Sequence, residues 1–165
     1  MDYLWTPWRY RYIAEASKTK GNADRCIFCD ALAANDDEKT LVVFRGDKNF
    51  IILNRYPYTS GHVMVVPYAH VPDLATSDPE ALSEMMLLAQ RVQVALGSTY
   101  RPEGYNIGMN LGRAAGAGVT GHVHLHVLPR WSGDSNFMTV VGETRVEPED
   151  LATTYDRIRR AFASS

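Results

Sequence analysis

One short run of the sequence alternates imidazole and aliphatic side chains: residues 122–128 read His-Val-His-Leu-His-Val-Leu. Successive side chains of a β-strand point to opposite faces of a sheet, so this run predicts a strand with three histidines on one face and an apolar opposite face. A lone histidine is usually a satisfied polar group, but three on one face are costly to bury unless a ligand uses them. We therefore interpret His122, His124 and His126 as parts of a functional site.

The rest of the sequence fits one globular domain. Its 165 residues suffice for a single core, and 45% hydrophobic and 22% charged residues exclude disordered and collagen-like chains. A net charge of −2 gives no long-range attraction to nucleic acid or anionic membranes, so we expect neither as a partner. The longest apolar run, Met85–Ala89, is far shorter than the roughly 20 residues of a membrane-spanning helix, and no apolar signal core follows Met1. We expect a cytoplasmic protein.

Runs rich in β-branched residues and bounded by turn formers predict the strands. With the histidine strand, placed at Gly121–Leu128, they are Leu41–Phe44, Phe50–Leu53, His62–Val66, Tyr105–Asn110 and Phe137–Val141. Apolar spacings of three and four predict two main helices, one opened by Asp78 and Pro79 and ended by Gly97, the other from about Pro148 to Phe162. The predicted fold class is α+β: an antiparallel sheet of about five to six strands with helices packed on it.

The histidine strand resembles the signature of the histidine triad (HIT) family of nucleotide hydrolases and transferases, His-φ-His-φ-His-φ-φ with apolar φ. The resemblance continues in Asn54–Pro67, which is similar to the family's nucleoside-binding strand pair, and in Asn110–Gly112. Within the family, Trp5–Arg9 and Pro129–Trp131 look most like the branch of bacterial diadenosine tetraphosphate phosphorylases.

This resemblance implies how the chain is organised. We expect a single HIT domain over residues 1–165, with an N-terminal extension at 1–25, the family core at 26–131, and a C-terminal strand and helix at 132–165. Family members are usually homodimers whose sheets join. We therefore expect a homodimer, with Tyr105–Asn110 as the candidate edge strand.

The resemblance also implies catalytic roles. A neutral imidazole that attacks the α-phosphorus, with donors around the developing charge, is an effective way to break a phosphoric anhydride. His124 is expected to be the nucleophile that forms a nucleotidyl-histidine intermediate, and His126 and His62 are expected to donate to the phosphate oxygens. The second nitrogen of His124 should donate to a fixed acceptor, for which we predict a backbone carbonyl of the turn Gly112–Gly118.

Four residues are candidates for binding the substrate. Asn54 resembles the family's ribose-binding residue, and Asn110 could supply another polar contact, although either could be a turn residue instead. Gly118 and Val119 stand where the family commonly has a Gln-Ser or Gln-Thr pair, so the usual hydroxyl is absent and Gly118 would offer only a backbone amide. Trp131 could stack on an adenine or pack at the rim of the site.

We expect the enzyme to cleave dinucleoside polyphosphates, diadenosine tetraphosphate or triphosphate, with inorganic phosphate as the preferred acceptor and water as the alternative. Hydrolysis of nucleoside phosphoramidates is a further alternative. In a different class, the chain could be a nucleotide-binding sensor or a zinc interaction module without turnover, but an intact His124 favours the enzyme. Mg²⁺ is expected only in company with the polyphosphate.

Cys26 and Cys29 are the only cysteines, and they have the Cys-x-x-Cys spacing familiar from zinc sites, which need four ligands. Zinc-containing members of the family show a Cys-Cys-His-His pattern, and the resemblance carries that pattern to Cys26, Cys29, His70 and His122. Zn²⁺ with four protein ligands would be structural. Two ordinary thiols or a redox dithiol are the alternatives.

Overall fold

The computed structural model describes residues 25–134 and 149–164. Its contacts divide the chain into two units, and the elements below belong to the one formed by Cys26–Trp131 and Glu147–Ser165. The predicted strand Phe137–Val141 and the motif Trp5–Arg9 lie outside the described residues.

Four helices and five strands are found in the described part of this unit. The helices are α1 (Ile27–Ala33), α2 (Asp37–Thr40), α3 (Pro79–Tyr100) and α4 (Leu151–Ala163), and the strands are β1 (Val42–Arg45), β2 (Asn49–Leu53), β3 (Val63–Pro67), β4 (Gly104–Gly108) and β5 (Leu125–Arg130). The strands form one antiparallel sheet in the order β1-β2-β3-β5-β4. The prediction of an antiparallel α+β fold is confirmed.

Both faces of the sheet are packed, and the histidines belong to one of them. On the first face, residues of β2, β3 and β5 join α3 and α4 in the larger of two hydrophobic clusters. On the second face, Phe28 and Ala31 of α1 cover a smaller cluster that includes Met64 of β3. His126 pairs with Met64 in the sheet register, so it lies on this second face.

Capping residues fix where the two long helices begin. Asp78 accepts a hydrogen bond from the N–H of Glu80 over 3.0 Å, and Pro79 occupies the first turn of α3, as predicted. The carboxylate of Asp150 accepts from the N–H of Thr153 over 2.8 Å, so α4 begins after Asp150 and later than predicted. None of the helices in the described ranges is long and apolar enough to cross a membrane.

Several predicted element boundaries are wrong. Gly97 does not end α3, which continues to Tyr100 and ends where Arg101 takes a left-handed conformation with φ 48°. β5 begins at Leu125 instead of Gly121, so two of the three alternating histidines lie in the segment before the strand, residues 121–124, which we call the lead-in. The carbonyl of Pro67, at the end of β3, accepts a hydrogen bond from the His122 side chain over 2.8 Å, which replaces a ladder bond at this point.

Candidate active site and metal site

Three imidazoles converge at the junction of β3 and β5. His126 lies on β5, His62 directly precedes β3, and His124 lies in the lead-in. The ring centroids of His62 and His126 are 5.1 Å apart, and those of His124 and His126 are 4.9 Å apart. The structure therefore brings together the three histidines that were predicted to be catalytic.

A single hydrogen bond assigns the proton on His124. Its Nδ1 lies 2.8 Å from the carbonyl oxygen of His122, and a carbonyl can only accept, so Nδ1 carries the hydrogen. Nε2 is then the unprotonated nitrogen, with its lone pair available for attack on an electrophile. The prediction that a carbonyl of the turn Gly112–Gly118 accepts this hydrogen is wrong, because the lead-in folds so that the ring bonds to its own chain two residues back.

The proton on His62 is assigned by the loop before β3. The backbone N–H of Tyr58 donates to Nδ1 over 3.2 Å, so Nδ1 is an acceptor and Nε2 carries the hydrogen. That hydrogen is donated to Nδ1 of His126 over 2.9 Å, rather than left for a phosphate oxygen as expected. The hydrogen of His126 is therefore on Nε2. The result is an unprotonated nitrogen on His124 beside a ring that has a hydrogen to donate.

Burial keeps these imidazoles neutral. His62 is 1% exposed and His124 is 5% exposed. Loss of hydration lowers the pKa of His62 well below its usual value and also lowers the pKa of His124. Burial first, and the nearby His124 second, lower the pKa of His126 to about 4. At neutral pH all three rings are uncharged, which is the state that a nitrogen nucleophile requires.

Asn54 directly contacts the cluster of His62, His124 and His126, which we call the histidine cluster. Its side-chain amide nitrogen lies 3.3 Å from Nδ1 of His62. Its side-chain oxygen accepts a hydrogen bond from the N–H of Tyr56 over 2.9 Å, which is the local turn contact that an asparagine commonly makes. Asn54 is therefore both a turn residue and a neighbour of the predicted catalytic residues.

The other three candidate substrate residues lie in three different parts of the fold. Asn110 is half-buried and follows the end of β4, which stops at Gly108 rather than at Asn110 as predicted. Gly118 is exposed in the loop before the lead-in. Trp131 packs edge-on against Tyr100, with ring centroids 6.5 Å apart. Within residues 25–134 and 149–164, the structure records no hydrogen bond from Asn110 or Gly118 to the three clustered histidines.

A second cluster beside the first could hold a metal ion. Its members are the four predicted ligands, Cys26, Cys29, His70 and His122, whose ligand atoms all lie within 4.8 Å of one another. Nδ1 of His122 is 3.3 Å from Sγ of Cys26, and Nδ1 of His70 is 3.4 Å from Sγ of Cys29. A tetrahedral zinc ion with ordinary bond lengths to sulfur and nitrogen separates such atoms by about 3.6 Å. The donor set and its spacing therefore fit such an ion.

The protonation of the second cluster also suits metal ligation. Nε2 of His122 donates to the carbonyl of Pro67, which leaves the lone pair of Nδ1 facing the thiols. Cys26 caps α1 without using its side chain in a capping hydrogen bond. Across the described ranges, no other group of three or more cysteine, histidine or acidic side chains has this arrangement.

Two residues at the site were not identified from the sequence. Tyr58 acts on His62 through its backbone N–H and packs its ring 4.8 Å from that imidazole. Every residue except proline has a backbone N–H, so no residue type marks such a role. Phe28 packs against His122 and His124. Its position between two candidate metal ligands was the signal that could have indicated it.

Comparisons with known proteins agree on one family. A family model described as the HIT domain matches residues 35–133. A relative from Mycobacterium tuberculosis (strain ATCC 25618 / H37Rv), named AP-4-A phosphorylase, is 40% identical over 157 residues, which cover 93% of this chain and 80% of the relative. Among solved structures, the chain is similar to a Zn-bound histidine triad family protein from Mycobacterium smegmatis, with 31% identity and a TM-score of 0.69 over 84% of this chain and 94% of that one. It is also similar to a hypothetical histidine triad nucleotide-binding protein from Sulfolobus tokodaii, with 26% identity and a TM-score of 0.68 over 84% and 93% of the two chains.

Proposed function

The chain belongs to the histidine triad family, and on that premise we propose that it cleaves dinucleoside polyphosphates, diadenosine tetraphosphate or triphosphate, through a nucleotidyl-His124 intermediate. The relative named AP-4-A phosphorylase supports this substrate class. The observation that carries the proposal is the hydrogen bond from Nδ1 of His124 to the carbonyl of His122, because it leaves Nε2 unprotonated beside the donor of His126. Binding a nucleotide without turnover would not require that arrangement.

The proposed reaction consists of two displacements at one phosphorus atom. In the first, Nε2 of His124 attacks the α-phosphorus, and the bond from phosphorus to the bridging oxygen breaks, so the second nucleotide leaves with that oxygen. Nε2–H of His126 donates to a phosphate oxygen and stabilises the developing charge, while His62 holds His126 in the required tautomer. In the second displacement, an oxygen of inorganic phosphate attacks the same phosphorus, and the phosphorus–nitrogen bond breaks to restore neutral His124.

Replacing His124 with glycine or alanine tests the nucleophile. We expect turnover to be lost while nucleotide binding and the fold are kept, because only the bond-forming nitrogen is removed. Mass spectrometry of the quenched wild-type reaction should find an acid-sensitive, base-stable nucleotide adduct on the peptide that contains His124. Near-normal rates in the variant would exclude His124 as the nucleophile. Absence of an adduct under several quench conditions would indicate direct displacement.

The two supporting histidines should contribute by a smaller factor. His126→Ala removes the donor to the phosphate, and His62→Ala removes the group that fixes that donor. Each should lower the rate by roughly 10²–10³, which is the usual effect of losing one preorganised donor. A variant of either residue with unchanged kcat would remove it from the proposed mechanism.

We propose inorganic phosphate as the acceptor. Gly118 is exposed and stands where the family commonly has a larger polar residue, which leaves room for a second anion in line with the breaking bond. Incubation of diadenosine tetraphosphate with and without millimolar phosphate decides the question: ADP and ATP are the products of phosphorolysis, and AMP and ATP are the products of hydrolysis. AMP as the main product at saturating phosphate would make water the acceptor and leave the His124 mechanism in place.

We propose that Asn54, Asn110, Gly118 and Trp131 contact the substrate. Asn54 is the best supported of the four, since its side chain already lies beside His62. Substitution of Asn110 by alanine should raise KM with little change in kcat if the residue only binds substrate. Mg²⁺ would accompany the polyphosphate.

We propose Zn²⁺ as the ion held by the second cluster. Two thiolates and two imidazoles are a donor set that zinc prefers, and the similar protein from Mycobacterium smegmatis is Zn-bound. When bound, the ion would have four protein ligands and no open position, so its contribution would be structural. Cys26 and Cys29 would hold the start of α1 against His122 of the lead-in and His70.

A nucleotide-binding sensor or a zinc interaction module is the alternative from another class. Such a protein would bind diadenosine tetraphosphate and AMP but release no product with or without phosphate. A parallel turnover assay with an adenosine phosphoramidate separates the remaining enzymatic alternative, in which the same histidines cleave a phosphorus–nitrogen bond.

We also propose that the chain forms a homodimer through β4. Among the described strands this one is at an edge of the sheet, so the N–H and C=O groups on its outer side have no ladder partner within residues 25–134 and 149–164. Ile107 in β4 is 40% exposed. Sedimentation equilibrium should give twice the mass of one chain, and Ile107→Asp should shift it toward the monomer. A monomeric wild-type protein at micromolar concentration would refute the dimer.

A further inference from the structure

Phe28 connects the two clusters of the site. It lies between Cys26 and Cys29 in sequence and is 1% exposed. Its ring packs edge-on against His122, with centroids 5.3 Å apart and an interplanar angle of 75°. The same ring lies 5.1 Å from that of His124. Phe28 therefore packs against two residues at the same time. One is His122 of the second cluster (Cys26, Cys29, His70 and His122), which we call the metal cluster, and the other is the proposed nucleophile His124.

His122 forms a second connection between the clusters. Its side chain faces the thiols through Nδ1 and is held from the other side by the carbonyl of Pro67. Its own carbonyl accepts the Nδ1 hydrogen of His124. Any interaction that holds the backbone of His122 in place therefore also determines which nitrogen of His124 carries the proton.

We infer that Phe28 is a positioning residue that couples the metal cluster to His124, so that a metal ion and a nucleotide at the histidine cluster each strengthen the binding of the other. Ligation would fix Cys26 and Cys29 on either side of Phe28 and would hold the ring against His124. Without the ion, both the Phe28 ring and the carbonyl acceptor gain freedom, and His124 loses its single tautomer. Coupling between two binding sites is reciprocal in their binding free energies, so a nucleotide that needs an ordered His124 must raise the affinity for the metal, and we expect the tighter binding to show as slower release. The nucleotide half of this inference rests on the proposed function.

The test measures zinc release from the full-length, zinc-loaded protein. A chromogenic chelator reports the release, with and without saturating AMP, which is the nucleotide part of the proposed intermediate and has no anhydride bond to cleave. We expect AMP to slow release by about tenfold in the wild type, within the usual range of such coupling. Phe28→Leu should still bind zinc and AMP, but AMP should then change the release rate by less than a factor of about two. Phe28→Met serves as a second variant if Phe28→Leu fails to retain zinc.

Phe50→Leu is the matched control. Phe50 is fully buried in the same hydrophobic cluster and stacks on Tyr68, with ring centroids 5.7 Å apart. The control removes the same atoms from the same cluster, so it should lower stability while AMP still slows zinc release. Loss of the AMP effect in Phe50→Leu as well would attribute it to general loosening of the cluster and would overturn the role of Phe28.

A second readout separates this inference from the proposed function. Nitrogen-15 chemical shifts of the imidazoles report the tautomer of His124 without any nucleotide. We expect the Nδ1–H form in zinc-loaded wild type, and a mixture of tautomers after zinc removal or in zinc-loaded Phe28→Leu. Failure of AMP to bind the wild type would refute the proposed function, and the tautomer measurement would then decide the positioning role alone. AMP binding without any effect on zinc release would overturn the inference. A His124 tautomer that stays the same after zinc removal and in Phe28→Leu would also overturn it.

Discussion

The hydrogen bond between His62 and His126 depends on the protonation state of His126. It accepts the hydrogen of His62 over 2.9 Å, its ring lies 4.9 Å from that of His124, and its pKa is about 4. An added proton on Nδ1 of His126 would point at the Nε2–H of His62. The existing hydrogen bond could not survive that change, so the native arrangement requires a neutral His126.

The depressed pKa of His126 predicts that stability falls in mild acid. In the unfolded chain a histidine titrates near 6.5, whereas His126 in the folded protein titrates near 4. Between these values the unfolded chain binds a proton that the folded chain does not, so the free energy of unfolding decreases as the pH falls. The contribution of this residue should be about 1–2 kcal/mol between about pH 7 and pH 5. Urea unfolding at the two pH values measures it.

His126→Asn provides the comparison for this experiment. The variant lacks the titrating ring, so its loss of stability between the same pH values should be smaller than that of the wild type by about 1–2 kcal/mol. The other titratable side chains are the same in both chains, so the comparison isolates the contribution of His126. Equal losses in wild type and variant would show that His126 is not the group responsible.

At the residue scale, the sequence predicted which histidine side chains come together but not which atoms they use. The alternation of residues 122–128 placed three histidines on one face, and the family resemblance added His62. The partner of each ring nitrogen depends on backbone atoms, such as the carbonyl of His122 and the N–H of Tyr58. Backbone groups are the same at nearly every position, so only the folded chain identifies them.

At the scale of secondary-structure elements, two glycines differ in whether their position could accept a side chain. Gly97 lies inside α3, and a Cβ added there would meet only the hydroxyl of Tyr105 at an ordinary 3.5 Å. Gly61 lies in the loop before β3 with φ +81°, and a Cβ there would come within 3.2–3.4 Å of Leu96, Pro129 and Tyr100. Only the second position needs a residue without a side chain.

Replacing each glycine with alanine should therefore change stability in opposite directions. Gly97→Ala should raise the free energy of unfolding by about 0.5–1 kcal/mol, since alanine is the better helix former and restricts the unfolded chain. Gly61→Ala should lower it by about 1–3 kcal/mol, because alanine must adopt a left-handed conformation in a crowded place. Urea unfolding of the two variants tests the pair. A destabilising Gly97→Ala would mean that α3 requires glycine for packing against β4.

Element boundaries were harder to predict than element types. The pattern of alternation begins at His122, but pairing with β3 begins only at Leu125. Pro67 has no N–H to offer and its carbonyl is taken by the side chain of His122, so the ladder cannot extend further. α1 was missed because seven residues give too short a pattern, and the burial of Phe28 and Ala31 rather than helix propensity holds it in place.

At the scale of the whole molecule, the metal cluster joins segments that are far apart in sequence. Cys26 contacts His122 across 96 positions, and Cys29 contacts His70 across 41. We predict one zinc ion per chain in protein purified without chelators, and loss of that ion in Cys26→Ser. Because the ligands come together only in the folded chain, metal loss should lower Tm by about 5–10 °C. Elemental analysis and thermal melts of loaded and stripped protein measure both effects.

Ser60→Ala is a suitable control for the cysteine variant. The Ser60 hydroxyl is buried without a hydrogen-bond partner among the described residues, so its removal should keep both the zinc content and the Tm. Wild-type protein that contains no zinc when purified without chelators would refute the metal assignment.

The sheet order could not be read from local patterns. Alternation and apolar spacing describe single elements, whereas the position of β5 between β3 and β4 depends on contacts between distant parts of the chain. The resemblance to a known family supplied what periodicity could not, including the placement of His62 and His70 near the triad. Dimerisation stays a prediction, because an edge strand is compatible with a free monomer as well as with a joined sheet.

The position of β5 also predicts an order of events during folding. β1, β2 and β3 follow one another in the chain and pair as neighbours, so they can assemble through short loops. Among the described strands, β4 pairs only with β5, and β5 must close a long loop to reach β3. The lead-in and β5 carry His122, His124 and His126. We therefore expect a nascent or partly refolded chain to have neither a complete metal cluster nor a complete histidine cluster until β5 pairs with β3.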